Sequence, residues 1–324
     1  MRIPPAPRRR PLRTGAFVLL LGARLLAAPP PALSAEEPGD LETLVERVLR
    51  YVDQFHREME GAVLEERYTQ LLRKPCCIEP RNPGGDELLA WAEGGRVPRA
   101  RGVVARRRLL SEVLLIPVSG GMRIGYRDVF EVDGKPVQER TERLRGLFES
   151  SSAESEIELG RIAAESARFN LGPLRRTANL PTMPLLFLTS ARRPGLYFSR
   201  GGRDERDGHD LVEIDFREDG SPTLVADADG RDMPARGRLW IEPGSGAVRE
   251  IELRVGERVR RILHVWFRNE PRMSILVPDR MWEWYERIKV PGETWPVDLE
   301  ALATYTEVRL FTVSTTGETG DPIP

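Results

Sequence analysis

In Gly237-Arg238-Leu239-Trp240-Ile241-Glu242-Pro243-Gly244-Ser245-Gly246-Ala247-Val248-Arg249-Glu250-Ile251-Glu252-Leu253-Arg254-Val255, two runs of alternating side chains flank a Pro-Gly-Ser-Gly turn. Ile251, Leu253 and Val255 fall on one side of the second run, and Glu250, Glu252 and Arg254 on the other. Successive side chains of a strand point to opposite faces, so the pattern predicts a hairpin with one face on a core and one toward water. The same period continues through Val212, Ile214 and Phe216, through Val259, Leu263, Val265 and Phe267, and through strands over 281–288 and 301–313. Turns at Asp229-Gly230 and Gly256-Glu257 space these runs as an antiparallel meander from Gly195 onward.

Upstream, Leu109 to Val118 and Ile124 to Val132 form a further expected hairpin around Ser119-Gly120-Gly121, with a tight turn at Asp133-Gly134. Residues 62–71 permit a strand. Helical spacing appears in Leu41, Leu44, Val45, Val48, Val52, Phe55 and Met59 after the N-cap Asp40, and again over residues 137–169, where Ser151 and Glu154 make a capping box. The most apolar stretch past the leader is Leu180 to Leu188, with Pro184 where a short helix begins. The expected fold class is therefore α+β, a large antiparallel sheet with helices against it.

Residues 1–35 read as a secretory signal peptide: Arg2, Arg8, Arg9, Arg10 and Arg13 precede an apolar run from Ala16 to Ala28, and Leu33-Ser34-Ala35 suits cleavage near Ala35. The run is shorter than the roughly 20 residues of a membrane span and Arg24 interrupts it, so the processed chain is expected in the periplasm or secreted, not transmembrane. The remainder reads as one domain over 36–314, with a flexible Pro-, Gly- and Arg-rich loop at 74–102 and a disordered tail at 315–324. Removing the leader's six arginines from the chain's 49 basic residues leaves 43 against 50 acids, a net charge of about −7 that argues against a nucleic-acid partner. Cys76 and Cys77 are adjacent and provide no disulfide framework; a solvent-exposed loop pair is the plain reading, an intermolecular disulfide or a redox switch the sharper one.

Catalytic patterns are absent. His56, His209 and His264 lack metal-ligand spacing, Asp227-Ala228-Asp229-Gly230-Arg231-Asp232 has its glycine in the wrong place for a calcium loop, and no nucleophile elbow or phosphate loop occurs. No metal, cofactor or enzymatic activity is expected. Five of the six tryptophans lie in the C-terminal β region, and Leu186, Phe187, Trp240, Trp266, Trp282, Trp284 and Tyr305 are the candidate lining of an apolar groove, provided they share a concave face; packing into an ordinary core is the alternative.

The cleaved leader, the amphipathic first helix, the strand series and the Pro243-x-x-Gly246 hairpin resemble the LolA/LolB superfamily of periplasmic lipoprotein carriers and the related RseB-like sensor domains. The resemblance spans residues 40–70 and 195–313, while 74–101 and 137–190 depart from the small carriers. It implies a strongly curved antiparallel sheet, an unclosed β-barrel, with helices packed on its concave side and a lipid or lipoprotein acyl group held beneath them by a monomeric, non-enzymatic carrier. The alternatives are a structural or protein-interaction module of the envelope and, behind it, an envelope hydrolase.

Overall fold

The computed structural model describes residues 40–310, apart from 75–101, 118–122, 139, 141–155, 174–175, 178, 228 and 257–260. The leader and its cleavage point, Cys76 and Cys77, the Ser119 turn, the Ser151–Glu154 capping box and the tail lie outside the described residues.

Eleven antiparallel strands form one sheet: β1 (Ala62–Arg73), β2 (Val103–Pro117), β3 (Arg123–Val132), β4 (Lys135–Pro136), β5 (Leu196–Arg206), β6 (His209–Glu218), β7 (Ala235–Ile241), β8 (Val248–Val255), β9 (Arg261–Asn269), β10 (Leu276–Ile288) and β11 (Val297–Leu310). Their order is β4-β3-β2-β1-β11-β10-β9-β8-β7-β6-β5, so the strand nearest the N-terminus pairs with the last one and the sheet ends in two edges that do not join. Among the described residues three α-helices accompany it: α1 (Leu41–Glu58), α2 (Glu156–Ser166) and the four-residue α3 (Met183–Leu186). The fold is thus α+β, an unclosed antiparallel sheet with helices.

Curvature follows from the core. One apolar cluster joins α1 residues Leu44, Val45, Val48, Val52 and Phe55 to inward side chains of β1, β2, β3 and of β5 through β11. A flat eleven-stranded sheet is about 50 Å wide, whereas an 18-residue helix is about 27 Å long, so the sheet bends around the helix for one cluster to include both flanks. Asp40 caps α1 by accepting from Thr43 N–H at 2.8 Å, and five of the helix's apolar side chains are wholly buried, each stabilising by about 1.5–3 kcal/mol.

The Asp133-Gly134 turn forms, both residues having positive φ. The chain then adds Lys135-Pro136 as a short strand on Glu131 and Val132; of the helical stretch expected from 137 onward, Glu156–Ser166 is the described portion. That helix sets Ile162 against Ile116 and Tyr126, on the face of β2 and β3 opposite the main core, and Ser166 Oγ at its end accepts from Arg127 N–H at 3.0 Å. From its end, residues 167–188 cross the inner face: Leu180 packs so close to Gly125 on β3 that a Cβ there would lie 2.7 Å from a Leu180 methyl, and Phe187 reaches Phe216 on β6, ring centroids 6.3 Å apart. Lys74 N–H donates to Gly102 O at 2.8 Å, and residues 75–101 of the loop expected at 74–102 lie outside the described residues.

Candidate ligand cleft

The helix and the crossing segment leave part of the inner face uncovered. Between the crossing and the loop that joins β6 to β7, a cleft of about 730 Å³ opens. Leu253 and Val255 of β8, Leu263 of β9 and Tyr285 of β10 form its floor; Pro173, Arg176 and Thr177 line one side, and Val225 and Met233 the other. Ala226, Asp227, Asp229, Arg261 and Ile262 complete the lining. The volume is in the range of small-molecule sites, and the floor is the continuation of the core alternation.

The β6–β7 loop holds its shape with its own acids. Asp227 Oδ1 accepts from Asp229 N–H and Arg231 N–H, both at 2.9 Å, and Asp232 accepts from the Ser221 hydroxyl and Thr223 N–H. These hydrogen bonds hold the Asp227 and Asp232 carboxyls below the usual carboxylate range. The spaced acids that hinted at a calcium loop are thus used in local turns, and no metal-holding cluster occurs among the described residues.

Behind the cleft lies a fully buried polar network. Arg176 donates to Tyr68 Oη at 2.6 Å and Glu283 Oε2 at 3.2 Å, and also to Gln70 Oε1. Tyr68 in turn donates to Glu283. A second pair sits beside the first: Arg127 Nη2 donates to Glu66 Oε1 at 2.9 Å and to the carbonyl of Asn179 at 2.8 Å, while Tyr305 Oη and Ser111 Oγ donate to Glu66 at 2.9 and 2.6 Å. Both ion pairs have no solvent-exposed side-chain surface. Burial pushes the pKa of the Tyr68, Tyr285 and Tyr305 hydroxyls well above the ordinary tyrosine value, with Glu283 or Glu66 adding to the effect. Burial works against the charge on Arg127 and Arg176, yet Glu66 outweighs it for Arg127, and Tyr68 with Glu283 for Arg176, so both guanidiniums titrate above their usual value. The tyrosines therefore act as hydrogen-bond donors, and the network ties the crossing segment, through Arg176 and Asn179, to β1, β3 and β10.

The residues singled out from sequence divide between the two faces. Phe187 and Tyr305 are inward, in the main core, and Leu186 is buried in α3. Trp266, Trp282 and Trp284 join Ile262 and Leu302 in a separate cluster on the opposite face, since they alternate with the inward Val265, Met281 and Tyr285. Trp240 is on that outer face too, stacked parallel to His264 with centroids 5.7 Å apart, and His264 stacks on Trp266 at 3.9 Å. None of the seven lines the cleft. The inward glutamates signalled the network: in Leu64-x-Glu66-x-Tyr68-x-Gln70-x-Leu72 and Met281-x-Glu283-x-Tyr285 the core-facing alternation carries carboxylates, which demand buried cations.

No family model and no curated protein sequence matches the chain. Among solved structures it is similar to a candidate outer membrane lipoprotein-sorting protein domain from Vibrio parahaemolyticus, at 9% identity and TM-score 0.36, over 85% of this chain and 94% of that one. It is also similar to a DUF1329 family protein from Desulfovibrio piger, at 10% identity and TM-score 0.37, over 86% and 94%, and to the complex of Pseudomonas aeruginosa MucA and MucB, at 8% identity and TM-score 0.19, over 82% and 99%. Likeness at this level transfers neither ligand nor partner, and the architecture rests on strand order and register.

Proposed function

We infer that this chain is a non-enzymatic binding or carrier protein of the cell envelope, holding the acyl chain of a lipid or lipoprotein in the cleft between the inner sheet face and the residue 173–177 and 225–233 segments. The observation that carries the reading is the 730 Å³ volume over Leu253, Val255, Leu263 and Tyr285, where core-type side chains meet open space instead of a helix. Each methylene moved there from water contributes about 0.8 kcal/mol. The described cleft lining includes no histidine, serine or cysteine, which favours binding over hydrolysis.

Native mass spectrometry of the exported protein after gentle purification, with lipid extraction, tests the reading, alongside displacement of a fluorescent fatty acid. Bound lipid is expected, and Leu263→Arg is expected to abolish fatty-acid binding, with circular dichroism checking that the variant folds. A protein that carries no lipid and ignores the fluorescent probe overturns it. A protein-interaction module stands second: β5 ends the sheet and offers an edge, but the Gly201-Gly202 irregularity in its pairing and its charged outer half are devices that discourage strand addition.

A further inference from the structure

The outer face of the sheet carries a second feature, separate from the cleft. Register places Tyr197 opposite Arg217, Arg217 opposite Arg236, and Arg236 opposite Arg254, on four adjoining strands. With strands about 4.8 Å apart, three arginines line up within about 10 Å. Like charges directly opposite each other weaken a sheet, and the neighbouring row shows the ordinary solution: Asp215, Arg238 and Glu252 alternate in sign, with Arg238 2.9 Å from Asp215. The arginine row is only partly compensated. Arg254 leans 2.6 Å onto Glu252, Arg217 meets Asp219 at 3.4 Å with both side chains more than half exposed, and Arg236, exposed, makes no ion pair among the described residues. A shallow groove of about 330 Å³ runs along the row, lined also by Asp215, Arg238 and Glu252 of the neighbouring one, and Tyr197, one of two large exposed hydrophobic side chains among the described residues at 53% exposure, ends it, with the Arg217 guanidinium 4.7 Å above its ring.

From this placement we propose that the Tyr197–Arg217–Arg236–Arg254 row is a docking surface for an anionic phospholipid bilayer. Guanidiniums pair with phosphate through two parallel N–H donors, and tyrosine favours the headgroup depth of a membrane interface. Strands β6, β7 and β8 are interior to the sheet and have no free backbone edge, so a peptide gains no strand pairing here; lipid phosphates need only the guanidiniums and no backbone partner. The feature concerns the face opposite the cleft and stands whether or not the cleft holds lipid.

Co-sedimentation of the exported protein with vesicles of phosphatidylcholine, alone or mixed with phosphatidylglycerol, tests it. Binding to the mixed vesicles only is expected, falling as salt is raised. Arg236→Ala is expected to weaken it about fivefold, and Arg217→Ala, Arg236→Ala and Arg254→Ala together roughly a hundredfold. Arg236→Lys, which keeps the charge, is expected to retain most binding, and Leu263→Arg in the cleft all of it. Comparing wild type with the triple variant isolates the row from any other basic segment, with circular dichroism checking that the triple variant folds. Failure to bind the mixed vesicles, equal binding by a folded triple variant, or attachment only to inorganic phosphate or an acidic polypeptide would each overturn the proposal.

Discussion

Glu66 and Glu283 occupy inward strand positions where a leucine or valine is ordinarily found, and each is matched by an arginine that arrives from another part of the chain. A buried pair of this kind adds little net stability, because desolvating two charges offsets their attraction, yet removing one partner leaves the other buried and uncompensated. Arg176→Met is therefore expected to lower unfolding free energy by about 3–5 kcal/mol in urea titrations, whereas adding Glu283→Leu to it recovers most of the loss. If the double variant is as unstable as the single one, the pair is not energetically coupled. Because Arg176 also lines the cleft, the single variant is expected to loosen the crossing segment and the cleft's wall with it. The sequence carried half of this site: inward carboxylates mark the need for cations, but which arginines supply them depends on partners 61 and 107 residues distant, and no local spacing encodes that.

The first helix is fixed by contacts at its end and on its flank. Near its C-terminus, Glu58 accepts from the Ser274 hydroxyl, from Ser274 N–H at 3.1 Å and from Gln54 at 2.7 Å, fastening it to the turn between β9 and β10. Burial pushes this carboxyl up, but the three hydrogen bonds outweigh it and hold it below its ordinary value of 4.5. A folded-state pKa lowered in this way contributes stability above the unfolded value, lost as pH falls through the folded one. Glu58→Gln is expected to cost about 1 kcal/mol at neutral pH, with the gap to wild type closing in acid below 4.5; a pH-independent difference in urea midpoint sinks the assignment. Along the helix flank, Gly246 has φ +77° and a Cβ would lie 2.5 Å from the Arg47 backbone, so only glycine closes the β7–β8 turn against α1. Elements of this kind were readable in advance, because α1, the hairpins and the Asp-Gly turn each have a period or a turn chemistry of their own. Alternation also told which tryptophans share a face. It did not tell which face the helix covers, since both sides of β9 and β10 are apolar: Leu263, Val265 and Met281 on one, Ile262, Trp266, Trp282 and Trp284 on the other.

At the scale of the molecule, the decisive pairing is the one furthest apart in sequence. β1 joins β11 over eleven residue pairs from Ala62↔Leu310 to Arg73↔Asp298, and without it the sheet divides into β4-β3-β2-β1 and β11 through β5. The buried network straddles this seam: Tyr68 on β1 meets Glu283 on β10, 215 residues away, and Tyr305 on β11 meets Glu66. Closing such non-local contacts makes folding slow, and it also concentrates stability in the middle of the sheet. Native-state hydrogen exchange therefore has a definite expected pattern. Backbone amides at Glu66, Tyr68 and Ala303 exchange only through global unfolding, with the free energy measured in urea, because releasing any of them breaks the seam. Amides of Arg203 to Arg206, on an edge strand with exposed side chains, open locally and exchange orders of magnitude faster. If the edge is protected as strongly as the seam, the sheet opens as one unit and the cleft has no flexible flank through which a chain enters; if the edge and the loop at 225–233 open together below the global free energy, ligand entry has its route.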